Sequence, residues 1–251
     1  MNINTLRLVA IPVLLLNSLL IAKEAPATTY LDVSALPIKQ IIPPPPAPGS
    51  DAEKADFSKF TETSTKRTPQ DIERAQREQK DSVFDFSESL GTGFNAANLP
   101  KTAELFEEIT KDAKTDINVA KQTFQRPRPS DAASDEKAKD SDKYSYPSGH
   151  STRAFLWASL LEELFPEQKE ALLKIAGRKA WDRVVLGKHY PADVQAGQVY
   201  GEFLAKELLK NDAFQKKWQA VKQEVDGFKA TQKSEKAAQL RVKQHQSLLP
   251  V

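Results

Sequence analysis

Nowhere does this chain sustain the apolar–polar alternation of a half-buried strand; its apolar residues recur at helical spacing, in blocks cut by proline and glycine. A sheet with one buried face needs period-two patterning, and a 3.6-residue pattern cannot supply it. An all-α fold is therefore expected, a compact helical bundle. With 251 residues, 39% of them hydrophobic, the chain can bury one full-sized core, so a single folded domain suffices.

The punctuation locates the helices. Thr68-Pro69 is an N-cap and N1 pair that opens a helix expected to run to a Gly91/Gly93 stop. A second begins at Leu99-Pro100 and continues until Pro127 interrupts it, with Leu105, Ile109, Ile117 and Val119 as core candidates. Residues 126 to 143, opening with Arg-Pro-Arg-Pro, read as a long polar loop of the kind that often carries function. "STRAFLWASLLEELFP", residues 151 to 166, reads as a strongly apolar helix, and two more flank Gly187 to Pro191. The helical domain is thus placed at 68–226. Ahead of it, the four prolines of "QIIPPPPAPGSD" make 28–67 an extended arm. Behind it, 227–251 is a Lys- and Gln-rich tail containing His245, either a peripheral helix or a segment without a fold.

The first 27 residues have a basic start, an apolar run from Leu8 to Ala22 and an Ala25-Pro26-Ala27 cleavage-like site, the pattern of a secretory signal peptide. The run is shorter than the roughly 20 apolar residues a spanning helix needs, and no later segment approaches that length. The mature chain is expected to be periplasmic or secreted, with no stable membrane insertion once the signal is removed. A formal charge of +2 built from scattered acids and bases gives no basic field for nucleic acid. There is no cysteine, hence neither disulfide nor lipoprotein anchor.

Three short stretches carry chemistry: Lys121 with Arg128-Pro129, then Pro147-Ser148-Gly149-His150, then Arg183 with His189 and Asp193. Each alone has a bland reading, as a solvated helix face, a helix cap or a surface pair. Together they describe an oxyanion cage. Lys121, Arg128 and Arg183 offer fixed cations, two of them guanidiniums whose fork fits phosphate oxygens. Ser148 and Gly149 precede an apolar helix, where backbone N–H groups bind anions. No Asp, Glu, His or Cys cluster at ligand spacing accompanies them, so a metal-independent site without a cofactor is expected. His189 and Asp193 share one face if the segment after Pro191 is helical, leaving one ring nitrogen free to attack. His150, across the cage, would protonate the departing oxygen.

In order and spacing, these stretches resemble the Lys-(six residues)-Arg-Pro, Pro-Ser-Gly-His and Arg-(five residues)-His-(three residues)-Asp pattern of the type-2 phosphatidic acid phosphatase and vanadium haloperoxidase superfamily. "PPPPAPGSD", "YSYPSGH", "RVVLGKHYPADVQAG" and "NDAFQKKWQAVKQEV" are similar to the bacterial class A nonspecific acid phosphatases, so the likeness covers roughly residues 40 to 226. It implies a secreted phosphatase that hydrolyses small phosphomonoesters through a phosphohistidine, without metal, and often as a homo-oligomer. Lys121, Arg128, Ser148, Gly149, His150 and Arg183 would bind phosphate, with His189 as nucleophile, Asp193 as its orienting partner and His150 as general acid. Asp182 stands where the family pattern usually has Ser, and it could either pair with Arg183 or point away. A vanadium-dependent haloperoxidase and a non-catalytic periplasmic phosphate-binding protein are the alternatives. Retention of both histidines and Asp193 weighs against the second.

Overall fold

The computed structural model of the protein describes residues 29–31, 37–129 and 143–246, with side chains placed through residue 241. The segment read as a signal peptide, most of the polar loop (130–142) and the side chain of His245 lie outside the described residues. In chain order the helices are α1 (Ile38–Ile41), α2 (Asp51–Lys66), α3 (Pro69–Arg77), α4 (Ser87–Leu90), α5 (Pro100–Phe124), α6 (Gly149–Leu164), α7 (Lys169–Val185), α8 (Pro191–Lys210) and α9 (Asp212–Gln246). Short 3₁₀ turns precede α4 and α7. The described residues contain no strand, only one isolated bridge between Pro127 and Tyr144. The fold is all-α.

Helix α6 forms the middle of the bundle. Its apolar residues surround the axis, and Ala154, Leu156, Trp157, Ala158, Leu160 and Leu161 are all buried, as a helix covered on every side requires. Its most extensive contact is with α8, where two glycines one turn apart allow the backbones to touch. A Cβ at Gly201 would lie 2.3 Å from the Thr152 carbonyl oxygen, and one at Gly197 would lie 2.7 Å from that of Ser148. Ser151 Oγ donates to the Val194 carbonyl at 2.7 Å, and the Ser148 N–H donates to the Asp193 carbonyl at 2.9 Å. The Pro-Ser-Gly-His turn and the start of α8 are therefore fixed to each other. Helix α9 lays Phe214, Trp218, Val221 and Val225 against the body. From the same helix Glu224 accepts the Lys101 and Thr102 N–H groups at 2.9 Å, capping α5, whose Leu99 has no capping side chain.

Three expectations need correction, and one open alternative is decided. Residues 51–66 of the stretch read as an extended arm form α2: Ser50 caps it by accepting the Glu53 N–H, and Asp51 and Glu53 complement its first turn. The prolines end at Pro48, ahead of this start. The helix expected from Thr68 to Gly91 breaks after Arg77, because Ser82 and Asp85 form a capping box that starts a new turn at Val83. Val119 faces outward rather than into the core. Of the two readings of the tail, the helix holds: α9 continues past 226 to Gln246. Beyond residue 226, Phe228 packs on Phe94, the Lys229 ammonium lies 4.6 Å from the Phe165 ring centre, and Gln232 donates to the Leu90 carbonyl at 3.0 Å.

Candidate active site

Three helix ends and the turn that leads into α8 converge on one cavity of about 380 Å³. Lys121 stands in the last turn of α5. The helix is ended by Gln125 in the left-handed region (φ 49°), and the chain then turns through Arg126-Pro127-Arg128. His150 is in the first turn of α6, behind the N-cap Ser148. Arg183 is in the last turn of α7, and His189 follows a turn made at Gly187, whose φ of 69° suits glycine. Pro191 then opens α8 and places Asp193 at N3, where its Oδ2 accepts the Tyr190 N–H at 2.9 Å.

Lys121, Arg128, Gly149, His150, Arg183 and His189 all line this cavity. Lys121 Nζ donates to the Tyr144 carbonyl at 2.6 Å. Arg183 is buried, and its Nε makes no hydrogen bond within the described residues. Its guanidinium is held down to about 10, first by burial and next by the nearby Arg128. Three cations crowded with little solvent favour an anion among them. A Cβ at Gly149 would meet no protein atom closer than 3.4 Å, so packing does not demand glycine there.

Two of the expected site residues take no place on the cavity wall. Asp193 lies behind His189, as an orienting partner would. Ser148 corrects the expectation that its own N–H faces an anion: that N–H is occupied by the Asp193 carbonyl, while Ser148 Oγ accepts the Ser151 N–H at 3.4 Å and caps α6. Gly149, the next residue, lines the cavity.

The histidines differ in what they can do. Arg128 Nη1 lies 3.1 Å from His189 Nε2, and a guanidinium can only donate, so Nε2 is the acceptor and the proton sits on Nδ1. Nδ1 faces Asp193 Oδ2 at 3.4 Å, and the two side chains are only 2% and 0% exposed. Burial first, then Arg128, Lys121 and Arg183, hold His189 well below its usual value, hence neutral. Asp193 is pushed up by burial and drawn back by Arg126, whose Nη1 donates to its Oδ1 at 2.7 Å. His150 directs Nε2 at the Gln79 carbonyl, 3.1 Å away, with Asp81 Oδ1 at 3.9 Å. Burial and Arg183 lower its pKa to about 3.

Asp182 points away from the cage. Its Oδ1 accepts from Arg74 Nη2 at 3.0 Å, leaving Arg183 to the cavity. Sequence reasoning missed Arg126, Asp56, Arg74, Asp81 and Arg153. The Arg153 guanidinium forks onto Asp81 at 2.9–3.2 Å, and both line the cavity. The Arg-x-Arg pair at 126 and 128 was visible; the acids that Arg126 meets, Asp56 and Asp193, lie some seventy residues away on either side, with no pattern linking them. No group of three or more His, Asp or Glu side chains suited to a metal ion occurs among the described residues.

Residues 109–216 match the model of the PAP2 superfamily. The chain carries a PAP2 superfamily domain. It is 29% identical over 198 residues to a non-specific acid phosphatase of Providencia stuartii, covering 73% of this chain and 79% of that one. It is 28% identical over 217 residues to an acid phosphatase of Zymomonas mobilis, covering 81% and 80%. A shorter likeness, 38% over 61 residues, covers 24% of this chain and 25% of a lipid A 1-phosphatase of Rhizobium johnstonii. Every side chain assigned to the cage from sequence lies inside the PAP2 match, whereas Asp56, Arg74 and Asp81 lie outside it.

Proposed function

We propose that the protein is an exported acid phosphatase that hydrolyses small, water-soluble phosphomonoesters through a phosphohistidine on His189. One observation carries the reading: a neutral, fully buried imidazole presents its Nε2 lone pair to a cation cluster while Nδ1 faces a carboxylate. In the proposed reaction, Lys121, Arg128, Arg183 and the Gly149 N–H hold the phosphoryl oxygens and spread their charge. His189 Nε2 forms a bond to phosphorus as the phosphorus–oxygen ester bond breaks. The electron pair leaves with the ester oxygen, which takes a proton from His150. Water then attacks the phosphohistidine, giving a proton to His150, and phosphate departs with His189 restored. The free-protein His150 is neutral at mildly acidic pH, so its protonation is coupled to substrate: the negative charge of a bound phosphoryl group offsets the field of Arg183.

A small soluble substrate is favoured over a lipid by the α5 wall, where Thr110, Lys114 and Asn118 line the cavity with Ile117 between them. No described helix is long and apolar enough to cross a membrane. Export rests on the first 27 residues of the sequence. The test is hydrolysis of glycerol, sugar, nucleoside and aryl phosphates by the purified protein in EDTA, with vanadate as competitive inhibitor. Loss of activity in EDTA restored by a divalent ion would reject the metal-independent site. Bromide oxidation with vanadate and peroxide, but no phosphate release, would favour the haloperoxidase. Phosphate binding without turnover would favour a binding protein.

A further inference from the structure

Asp193 is not the end of the polar chain behind His189. Arg126 Nη1 donates to Asp193 Oδ1 at 2.7 Å, and its Nη2 donates to Asp56 Oδ2 at 2.6 Å. Asp56 Oδ1 accepts the Ala192 N–H at 2.8 Å, next to Asp193 in the first turn of α8. The Arg126 guanidinium also lies 4.3 Å from the centre of the Tyr190 ring. The side chains of Arg126, Asp56 and Asp193 are 9%, 6% and 0% exposed. Asp56 belongs to α2, more than fifty residues ahead of the PAP2 match.

We propose that Asp56, acting through Arg126, is a positioning residue for the nucleophilic His189, so that α2 completes the active site of the PAP2 domain from outside it. The proposal rests on the phosphohistidine reading. Its physical basis is charge. Asp56, Arg126 and Asp193 together carry one net negative charge, buried behind an imidazole that becomes cationic when Nε2 bonds to phosphorus and Nδ1 keeps its proton. On its other side the groups that weigh most on His189 oppose that cation: Arg128 from the turn after α5, Lys121 from α5, Arg183 from α7 and His150 from α6, with Asp81 the one carboxylate among the described cavity-lining residues. Asp193 faces Arg126, Ser145 and the Tyr190 backbone, and the charges of Asp193, Arg126 and Asp56 act on the neighbouring Tyr146 and Tyr190 phenols, with Glu53 of α2 also acting on Tyr190. Removing the Asp56 charge would leave Arg126 undivided against Asp193. The net charge behind His189 would then be zero. The bond to Ala192 gives a second handle, since it ties α2 to the backbone that carries Asp193.

The experiment compares Asp56→Asn with wild type in single turnover by rapid quench, using one aryl and one alkyl phosphate. Phosphoenzyme formation should slow by on the order of ten- to a hundredfold, the scale of a slightly misplaced reacting group. The loss should be the same for both esters, because the nucleophile and not the leaving group is affected. The inhibition constant of inorganic phosphate should stay within about twofold, since the cage cations are untouched. Arg126→Met is the second variant. Asp193, already pushed up by burial, would lose the cation that draws it back, so the acid limb of kcat/KM should move to higher pH. A merely structural latch would lower the melting temperature of both variants but leave the single-turnover rate within about twofold and the acid limb in place, and that result overturns the proposal. Should Asp56→Asn fail to fold, the acid limb of Arg126→Met decides alone. A wild type that turns over with no phosphohistidine would sink the functional reading itself, whereas a trapped phosphohistidine with unaffected variants would sink only the relay.

Discussion

Replacing Asp182 by Ser should cost stability and spare catalysis. Asp182 sits one position before the cavity-lining Arg183, so a sequence reading could pair the two. Its carboxylate instead meets Arg74 Nη2 at 3.0 Å, with the Asp182 side chain 3% exposed and that of Arg74 33% exposed. Breaking a fully buried ion pair typically costs about 3–5 kcal/mol, because a charge is stranded without a partner. Here the stranded group is one-third in water and keeps Asp71 at 2.9 Å, so the cost is discounted to about 1–2 kcal/mol. Asp182 Oδ2 has no hydrogen-bond partner within the described residues, which removes one further contact from the loss. For a chain of this size about 2–4 °C accompanies each kcal/mol, so the melting temperature should fall by about 2–8 °C. The assay pairs thermal unfolding with kcat/KM and the inhibition constant for phosphate at one pH. Both kinetic values should stay within about twofold, a shift worth less than ~0.5 kcal/mol. An unchanged melting temperature with phosphate bound about tenfold more tightly would show that Asp182 restrains Arg183 after all, and the reasoning would fail.

His150→Ala should slow alkyl phosphates by about 10²- to 10⁴-fold, the range of general acid catalysis, and p-nitrophenyl phosphate far less, because a phenolate leaves nearly unaided; equal losses would move the acid elsewhere. In the free protein His150 is held to about 3 and His189 well below normal, so the unfolded chain binds more protons below about 6.5 and stability falls as pH drops from there toward 3. Calorimetry at pH 7 and pH 5 should show that fall, and a smaller one in His150→Ala; an identical fall in both proteins contradicts the assignment. Gly201→Ala would put a Cβ 2.3 Å from the Thr152 carbonyl and force α8 away from α6. Overpacking of this kind costs about 1–3 kcal/mol, and an unchanged melting temperature would mean that the two helices separate freely.

What the sequence made legible was what local rules write. Pro69, Pro100 and Pro191 mark helix starts within one residue, because proline at N1 gives up only an N–H that had no helical partner. The apolar segment 151–166 was visible as a helix from its density of large apolar residues. Lys121, Arg128, His150, Arg183 and His189 were nameable because three short stretches carry cations and histidines in an order and spacing that resemble a known pattern, and the structure brings them to one cavity. What stayed hidden was everything decided across the chain. Nothing near Asp56 in the sequence announces Arg126, and nothing near Asp182 announces Arg74. The tetraproline at 43–46 masked α2, since its stiffness ends before Ser50 provides the cap. Val119 has the residue type of a core position and the wrong angular place on α5, a distinction of about 100° per residue that a single exposed turn can defeat.

The central claim, that His189 is a covalent nucleophile, is tested most directly by quenching the wild-type protein with ³²P-labelled substrate during turnover and mapping the label. An acid-labile, base-stable adduct on the peptide containing His189, absent in His189→Ala together with all turnover, is the predicted result. Steady turnover with no such adduct, under conditions where dephosphorylation limits the rate, would mean direct attack by water and would contradict the account.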